Sequence, residues 1–308
     1  MQISPNSKKE SLHEWLTTER PASRKQAAFG RAFNAWKLFS QNRLAMLGLA
    51  IVMGLIVCAL LANVLAPYSP YTGDLRTTRL LPPSYTHWFG TDDQGRDIWS
   101  RILHGSRITL FVVTLVAVLA APIGLFVGTV AGYAGGWLDA ALMRITDIFL
   151  AFPRLILALA FVAALGPGIE NAVIAIAITS WPPYARIARA ETLTLREADY
   201  ISAVKLMGAS PWRIVFRHIM PLCLSSVIVR VTLDMAGIIL TAAGLGFLGL
   251  GAQPPMPEWG AMIANGRAYV LDQWWVAAAP GAAIFLISLG FNLLGDGLRD
   301  ALDPKAQR

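Results

Sequence analysis

The chain has 308 residues, 55% of them hydrophobic and only 15% charged, with a mean hydropathy of +0.52, whereas soluble domains carry nearer ~25% charge. That balance excludes an ordinary cytosolic enzyme, and the apolar residues come in long charge-free runs rather than at helix or strand period, which predicts a polytopic membrane protein. The net charge of +7 does not read as nucleic-acid binding, because the basic residues gather at the ends of hydrophobic spans with no nucleic-acid motif beside them.

The first 43 residues contain no apolar core of the kind a cleavable signal peptide needs. Within them Phe29, Phe33, Trp36 and Phe39 recur at helical spacing among Arg24, Lys25, Arg31, Lys37 and Arg43. This predicts an amphipathic helix lying in the cytoplasmic headgroups, with a frayed basic tail as the plainer alternative. Charge-free runs follow at 44–73, 108–138, 235–257 and 273–295, of 30, 31, 23 and 23 residues, and roughly 20 suffice to span a bilayer. Two shorter runs, 155–169 and 171–185, have 15 residues each. The first must extend back through Pro153 and Arg154 toward Asp147, the second from the Gly166-Pro167-Gly168 turn to about Arg186.

Six spans result, at 44–66, 107–131, 139–165, 170–186, 219–249 and 273–295, in an all-α fold. The expected organisation is a cytoplasmic tail (1–43), a first span (44–66), an extracytoplasmic segment (67–106), a five-helix core (107–295) with a cytoplasmic loop at 187–217, and a short tail (296–308). With the N-terminus inside, 18 of the 26 Lys and Arg fall on the cytoplasmic side, counting Arg144 and Arg186 at span ends with it, Arg154 and Arg230 lie within spans, and Arg76, Arg79, Arg96, Arg101, Arg107 and Arg267 remain outside. Both termini are therefore expected in the cytoplasm.

Chemistry on the chain itself finds little support. Cys58 and Cys223 imply no disulfide framework, and the four histidines show no metal-ligand spacing. No Gly-Lys dipeptide occurs, hence no P-loop, and there is no Gly-x-Ser-x-Gly elbow or paired-carboxylate constellation. The run 244–249 matches a dinucleotide fingerprint letter for letter, yet it ends a membrane span with no strand before it, so its glycines read as helix packing or a helix break. Gly124, Gly128, Gly132 and Gly136 form a four-residue ladder suited to close helix packing or to a sliding face.

Charged residues inside spans are expensive and invite a functional reading. Arg230 and Asp234 stand one turn apart and are expected to pair with each other. Asp147 and Arg154 flank Pro153, a kink site, and either line an aqueous path or sit at the cytoplasmic interface. The loop 187–217 is too long and polar for a mere connection. Its stretch from Asp199 to Trp212 predicts a short helix, a stop at Gly208, and a second helix after Ala209 with Ser210 as N-cap and Pro211 in its first position.

Ser202-Ala203-Val204, three residues, Gly208, then twelve residues and Pro221 resembles the EAA loop of ABC-importer permeases, the helix that docks into a groove of the ATPase subunit. Ser202 stands in place of the motif's glutamate, Val204 replaces its second alanine, and His218 takes a usually aliphatic position. Three further stretches, 90–101, 248–255 with Glu258-Trp259-Gly260, and 295–304, resemble the dipeptide, oligopeptide and nickel permease family of the C-subunit type, over about residues 37 to 305. This resemblance implies a type I ABC-importer permease fold in a bacterial inner membrane. The partners it implies are a second homologous permease, two ATPase subunits that carry ATP and magnesium, and an extracytoplasmic solute-binding protein. The cargo it implies is a peptide, with a dipeptide first and oligopeptides, D-amino-acid dipeptides, glutathione or a nickel chelate open.

No cofactor, metal or catalytic residue is expected on this chain. Ser202, Ala203, Val204, Gly208, Ala209, Ser210, Pro211 and Pro221 would form the ATPase-coupling loop. Asp92, Asp93, Arg96 and Asp97, with Gln253, Glu258 and Trp259, would either form a platform for the binding protein or, more simply, a solvated self-paired cap. The rival class is a secondary transporter or channel without ATPase subunits, which would explain the spans and buried charges but has no use for the loop.

Overall fold

The computed structural model describes residues 23–302 together with Trp15 and Thr18. The rest of the expected N-terminal tail, and residues 303–308 of the C-terminal one, lie outside the described residues. Among the described residues the chain is helical without strands. Helix α1 (Arg24–Gln41) meets α2 (Arg43–Leu65) at Asn42, whose side chain accepts from the backbone N–H groups of Leu44 and Ala45 and so caps α2. After an irregular cap come α3 (Ile98–Ala134), α4 (Gly136–Ala151), α5 (Arg154–Leu165) and α6 (Ile169–Arg196). Two short helices, α7 (Asp199–Leu206) and α8 (Pro211–Ile214), precede a π-helical turn (Val215–Ile219) that runs straight into α9 (Met220–Phe247). Helices α10 (Trp259–Gly266) and α11 (Trp275–Leu302) complete the fold.

By length and composition α2, α3, the rod Pro211–Phe247 and α11 are each able to cross a membrane. The span expected at 139–165 is not one rod: α4 and α5 meet at 94° and qualify only as a pair. Pro153 is the reason, since it denies Phe152 the helical region and holds it extended (φ −99°, ψ 142°). The expected span at 170–186 is the first part of α6, which does not reach the same apolarity. Its Ala172, Val173, Ala175, Ile176 and Ala177 are buried among other helices, so it has no need to match lipid. Helix α6 also continues past Arg186, absorbing the first ten residues expected in the loop.

Helices α3 and α6 pack along most of their length, and glycine permits it. A Cβ on Gly124 would strike the Trp181 carbonyl and Tyr184, one on Gly128 the Ala185 carbonyl, and one on Gly132 Thr192 and the Arg189 carbonyl. Backbone cannot give way, so these three positions are closed to any side chain. Gly136 leaves the ladder: it has open space around it and takes a positive φ in the turn after α3. One end of the bundle carries the irregular segment 66–97 and α10 (the cap end), the other carries α7 and α8 (the loop end). Of the aromatic face expected on α1, Phe29 and Trp36 are exposed, but Phe39 is buried against Ala45 and Ala301.

Gly128→Val is expected to cost about 1–3 kcal/mol by overpacking, seen as a lowered thermal midpoint in detergent. Gly54→Ala, whose Cβ meets nothing within 4 Å, should leave that midpoint unchanged.

Candidate functional site

At the loop end, α7 terminates as the sequence predicts. Gly208 takes φ +81°, its N–H donates to the Lys205 carbonyl (2.9 Å), and the Ala209 N–H donates to the Val204 carbonyl (3.3 Å). This is the paired 5→2 and 6→1 pattern of a glycine stop, with Val204 and Ala209 both packed on the same apolar cluster. A Cβ on Gly208 would meet nothing within 4 Å, so conformation rather than room demands glycine here. Ser210 then accepts from the Arg213 N–H (3.4 Å), with Pro211 in the first turn. Ile201 and Ile214 anchor the two helices in the core, while Lys205 Nζ sits 5.5 Å from the Tyr133 ring centroid. Ser202, Ala203, Ser210, Pro211 and Pro221 are exposed, Leu206 and Met207 are 90% and 78% exposed, and the exposed Trp212 and Phe216 stack on each other. The result is a fixed two-helix unit with exposed apolar side chains.

The charges within the bundle pair differently from expectation. Arg154 Nη2 donates to Asp234 Oδ1 (2.8 Å), and the buried Tyr184 hydroxyl donates to Asp234 Oδ2 (2.9 Å). Asp234 is thus taken by α5 and α6, and the expected Arg230–Asp234 pair does not form; Arg230 Nε is buried without a hydrogen-bond partner. Asp147 accepts from Arg186 Nη2 (2.6 Å) at an exposed position near the loop end. Arg189 holds Asp139 through two bonds (2.6 and 2.7 Å), and Arg196 donates to the Gly132 carbonyl (2.9 Å). Three arginines of α6 therefore fasten α4 and the end of α3. Tyr184 is the residue sequence reading missed; nothing local in it points to a partner 50 positions away.

The cap is self-paired but not solvated. Asp92 Oδ1 accepts from the N–H groups of Gln94 and Arg96 (both 2.9 Å), and Oδ2 from Arg96 Nε (2.8 Å). Asp97 caps α3 by accepting from Ser100 (2.8 Å) and lies 2.9 Å from His87 Nδ1. Asp92, Arg96 and Asp97 are only 6%, 3% and 2% exposed. They hold the cap together and cannot serve as its contact surface, which corrects the direct docking role expected for them. Asp93 is half-buried, with Oδ1 buried and unpartnered. The buried Arg101 donates to the Pro70 carbonyl (2.6 Å).

Trp259 is likewise internal, its Nε1 donating to the Ile102 carbonyl (3.2 Å). Gln253 is exposed and folds back on the Gly249 and Gly251 carbonyls (3.1 and 3.0 Å). Glu258, in the loop between α9 and α10, caps α10 by accepting from the N–H groups of Gly260 (2.8 Å) and Ala261 (2.7 Å). Its carboxylate reaches over Gly246 into surroundings that include Val112, Ile239 and Ala243. Burial pushes its pKa up to about 7, against the pull of the two N–H groups. The fingerprint-like run ends α9 with a second glycine stop: Gly249 (φ +77°) donates to Gly246 O (3.0 Å) and Leu250 to Leu245 O (2.9 Å). Its glycines serve the helix end, and Gly246 makes room for Glu258.

The family model described as the binding-protein-dependent transport system inner membrane component matches residues 120–308. The chain belongs to that permease family. Residues 33–83 match the N-terminal transmembrane domain of oligopeptide transport permease C. The permease is 48% identical to the probable D,D-dipeptide transport system permease protein DdpC of Escherichia coli over 96% of this chain and 98% of the relative. It is also 48% identical to the dipeptide permease DppC of Alkalihalophilus pseudofirmus (88% and 89% covered), and 46% identical to the glutathione permease GsiD of Pectobacterium atrosepticum (88% and 90%). An inward-facing structure of the MetNI methionine ABC transporter superimposes with a TM-score of 0.55 at 20% identity, covering 66% of the permease and 97% of that chain. The all-α importer-permease fold expected from the sequence is the one found, and the rival secondary transporter or channel is left without support.

Asp92→Ala strands the buried Arg96 guanidinium and is expected to cost about 3–5 kcal/mol, read as a lower thermal midpoint in detergent. For Glu258, the folded permease binds a proton between the ordinary value of 4.5 and about 7 that the unfolded chain does not. Stability should therefore fall as pH rises through that window and level off above it. In Glu258→Gln the thermal midpoint should lose that slope.

Proposed function

We propose that this permease is one transmembrane half of an ATP-driven peptide importer in a bacterial inner membrane, with the loop end and both termini in the cytoplasm and the cap outside. A second, related permease would supply the other half of the path, two ATPase subunits would hold ATP and magnesium, and a solute-binding protein would deliver the cargo to the outer face. No catalytic step falls to this chain. A dipeptide is the first choice of cargo, because relatives that cover most of the chain carry dipeptide transport in their names.

The observation that carries this reading is the two-helix unit at the loop end. Ala203 and Gly208 lie on an exposed surface with Leu206 and Met207, while Ile201 and Ile214 fix that surface to the bundle. A side chain exposed to this degree and this apolar suits a groove on a partner. The unit is continuous, through the π turn, with α9, whose Asp234 is tied to α5 and α6. ATP-driven closure of the ATPases would move the unit as a rigid body and switch the helices between inward- and outward-facing arrangements; hydrolysis would reset them. At the other end, the cap held by Asp92 and Asp97, with the Gln253 turn beside it, offers the rigid platform a binding protein needs.

Affinity purification of the tagged chain in mild detergent should recover a second permease and ATPases, with ATP hydrolysis raised by a peptide-loaded binding protein. A stable lone chain that transports in liposomes without ATP would overturn the reading. Gly208→Val places a β-branched residue at positive φ. It is expected to lower peptide uptake about tenfold or more at unchanged chain abundance, with the ATPases lost from the purified complex; normal uptake and co-purification would remove Gly208 from the coupling surface.

A further inference from the structure

A cavity of about 410 Å³ opens between α6, α9 and α11, walled by Ile187, Ser225, Val229, Arg230, Leu233 and Arg299. Its depth follows from helix length. At about 1.5 Å per residue, Ile187 is roughly 27 Å along α6 from its cap end, Arg230 roughly 26 Å along α9, and Arg299 roughly 36 Å along α11. A hydrocarbon core is about 30 Å thick, so the cavity straddles its loop-end boundary, where headgroups begin. Apolar walls lie beside two guanidinium groups.

Those cations are unspent. Arg230 Nε is buried with no hydrogen-bond partner, and Asp234, one turn away, is already held by Arg154 and Tyr184. Among the described residues neither Arg230 nor Arg299 has a carboxylate within ion-pair distance. Glu191 stands behind the wall: it accepts the hydroxyl of Ser226, which lines the cavity, and its Oε2 is buried without a partner. Arg230 is half-buried and Arg299 exposed on the walls of this cavity, and a planar guanidinium matches the oxygens of a phosphate.

We propose that this cavity binds a phosphate-type oxyanion between Arg230 and Arg299. Its apolar walls and headgroup depth suit the headgroup of an anionic phospholipid, as basic pockets between membrane helices do. This site is separate from the coupling unit and from the cap.

The test uses the full chain, purified with whatever subunits accompany it, and counts phospholipid on the chain's own ions by native mass spectrometry as phosphatidylglycerol, phosphatidylcholine or inorganic phosphate is added. The expected result is one phosphatidylglycerol per chain, favoured about tenfold over phosphatidylcholine, and about tenfold weaker retention in Arg230→Gln and in Arg299→Gln. Arg230→Lys, which keeps the charge but not the fork, should fall between. Displacement by millimolar inorganic phosphate would assign the same chemistry to a soluble phosphate; resistance to it assigns the lipid. Equal retention of the two lipids with no effect of phosphate, or retention unchanged in Arg230→Gln, would overturn the proposal. So would loss of a second permease from Arg230→Gln with the lipid count intact, since a partner helix would then fill the cavity. None of these readouts involves ATP, so the importer reading stands or falls apart from them.

Discussion

The backbone-to-backbone approach of α3 and α6 is the contact on which the rest of this permease depends. Gly124, Gly128 and Gly132 let α6 lie against α3 with no side chain between them, and in a membrane such close packing replaces the hydrophobic drive that water would supply. Helix α3 begins at Asp97 in the cap, and α6 reaches the residues just before α7. Fixing these two helices against each other therefore joins the two ends of the molecule. The arginines of α6 at 186, 189 and 196 extend the same seam to α4 and to the end of α3.

Features governed by neighbours in sequence were legible before the fold was known. The stop at Gly208, the cap at Ser210 and the proline after it depend on a few consecutive residues, and the chain adopts them as read. The positions of α2, α3 and α11 also follow from charge-free runs. Pairings across the bundle were not legible. Asp234 could be assigned to Arg230 on helical spacing alone, because Arg154 is 80 residues away and only the bend at Pro153 brings it near. The alternation of Asp92, Asp93, Arg96 and Asp97 looks like a solvated surface in one dimension; folding turns it inward because backbone N–H groups of the same tight segment need an acceptor. Which face of α6 is buried, and hence why a helix of modest apolarity can occupy the bundle, likewise depends on neighbours far along the chain.

A common rule runs through the charged groups. Asp93 and Glu191 each leave one buried oxygen without a partner, but the other buried carboxylates are engaged: Asp92 by three N–H donors, Asp97 by Ser100 and His87, Asp234 by Arg154 and Tyr184, Glu258 by the start of α10. That is what the cost of burying an unpaired charge requires. Arg230 departs from the rule, and it does so because the acid nearest to it in sequence has been claimed by other helices.

The π-helical turn at Val215–Ile219 has a consequence for the geometry of the whole of α9. Each residue of an α-helix turns the chain by about 100°, and a π turn accommodates one residue more than an α turn would. The direction in which α9 presents Asp234 to Arg154 and Tyr184 is thus set four turns earlier, next to the exposed α7–α8 unit. Removing a single residue there would leave the rod intact yet rotate its polar stripe away from α5 and α6, so the rotational phase of the membrane helix is encoded at its aqueous root.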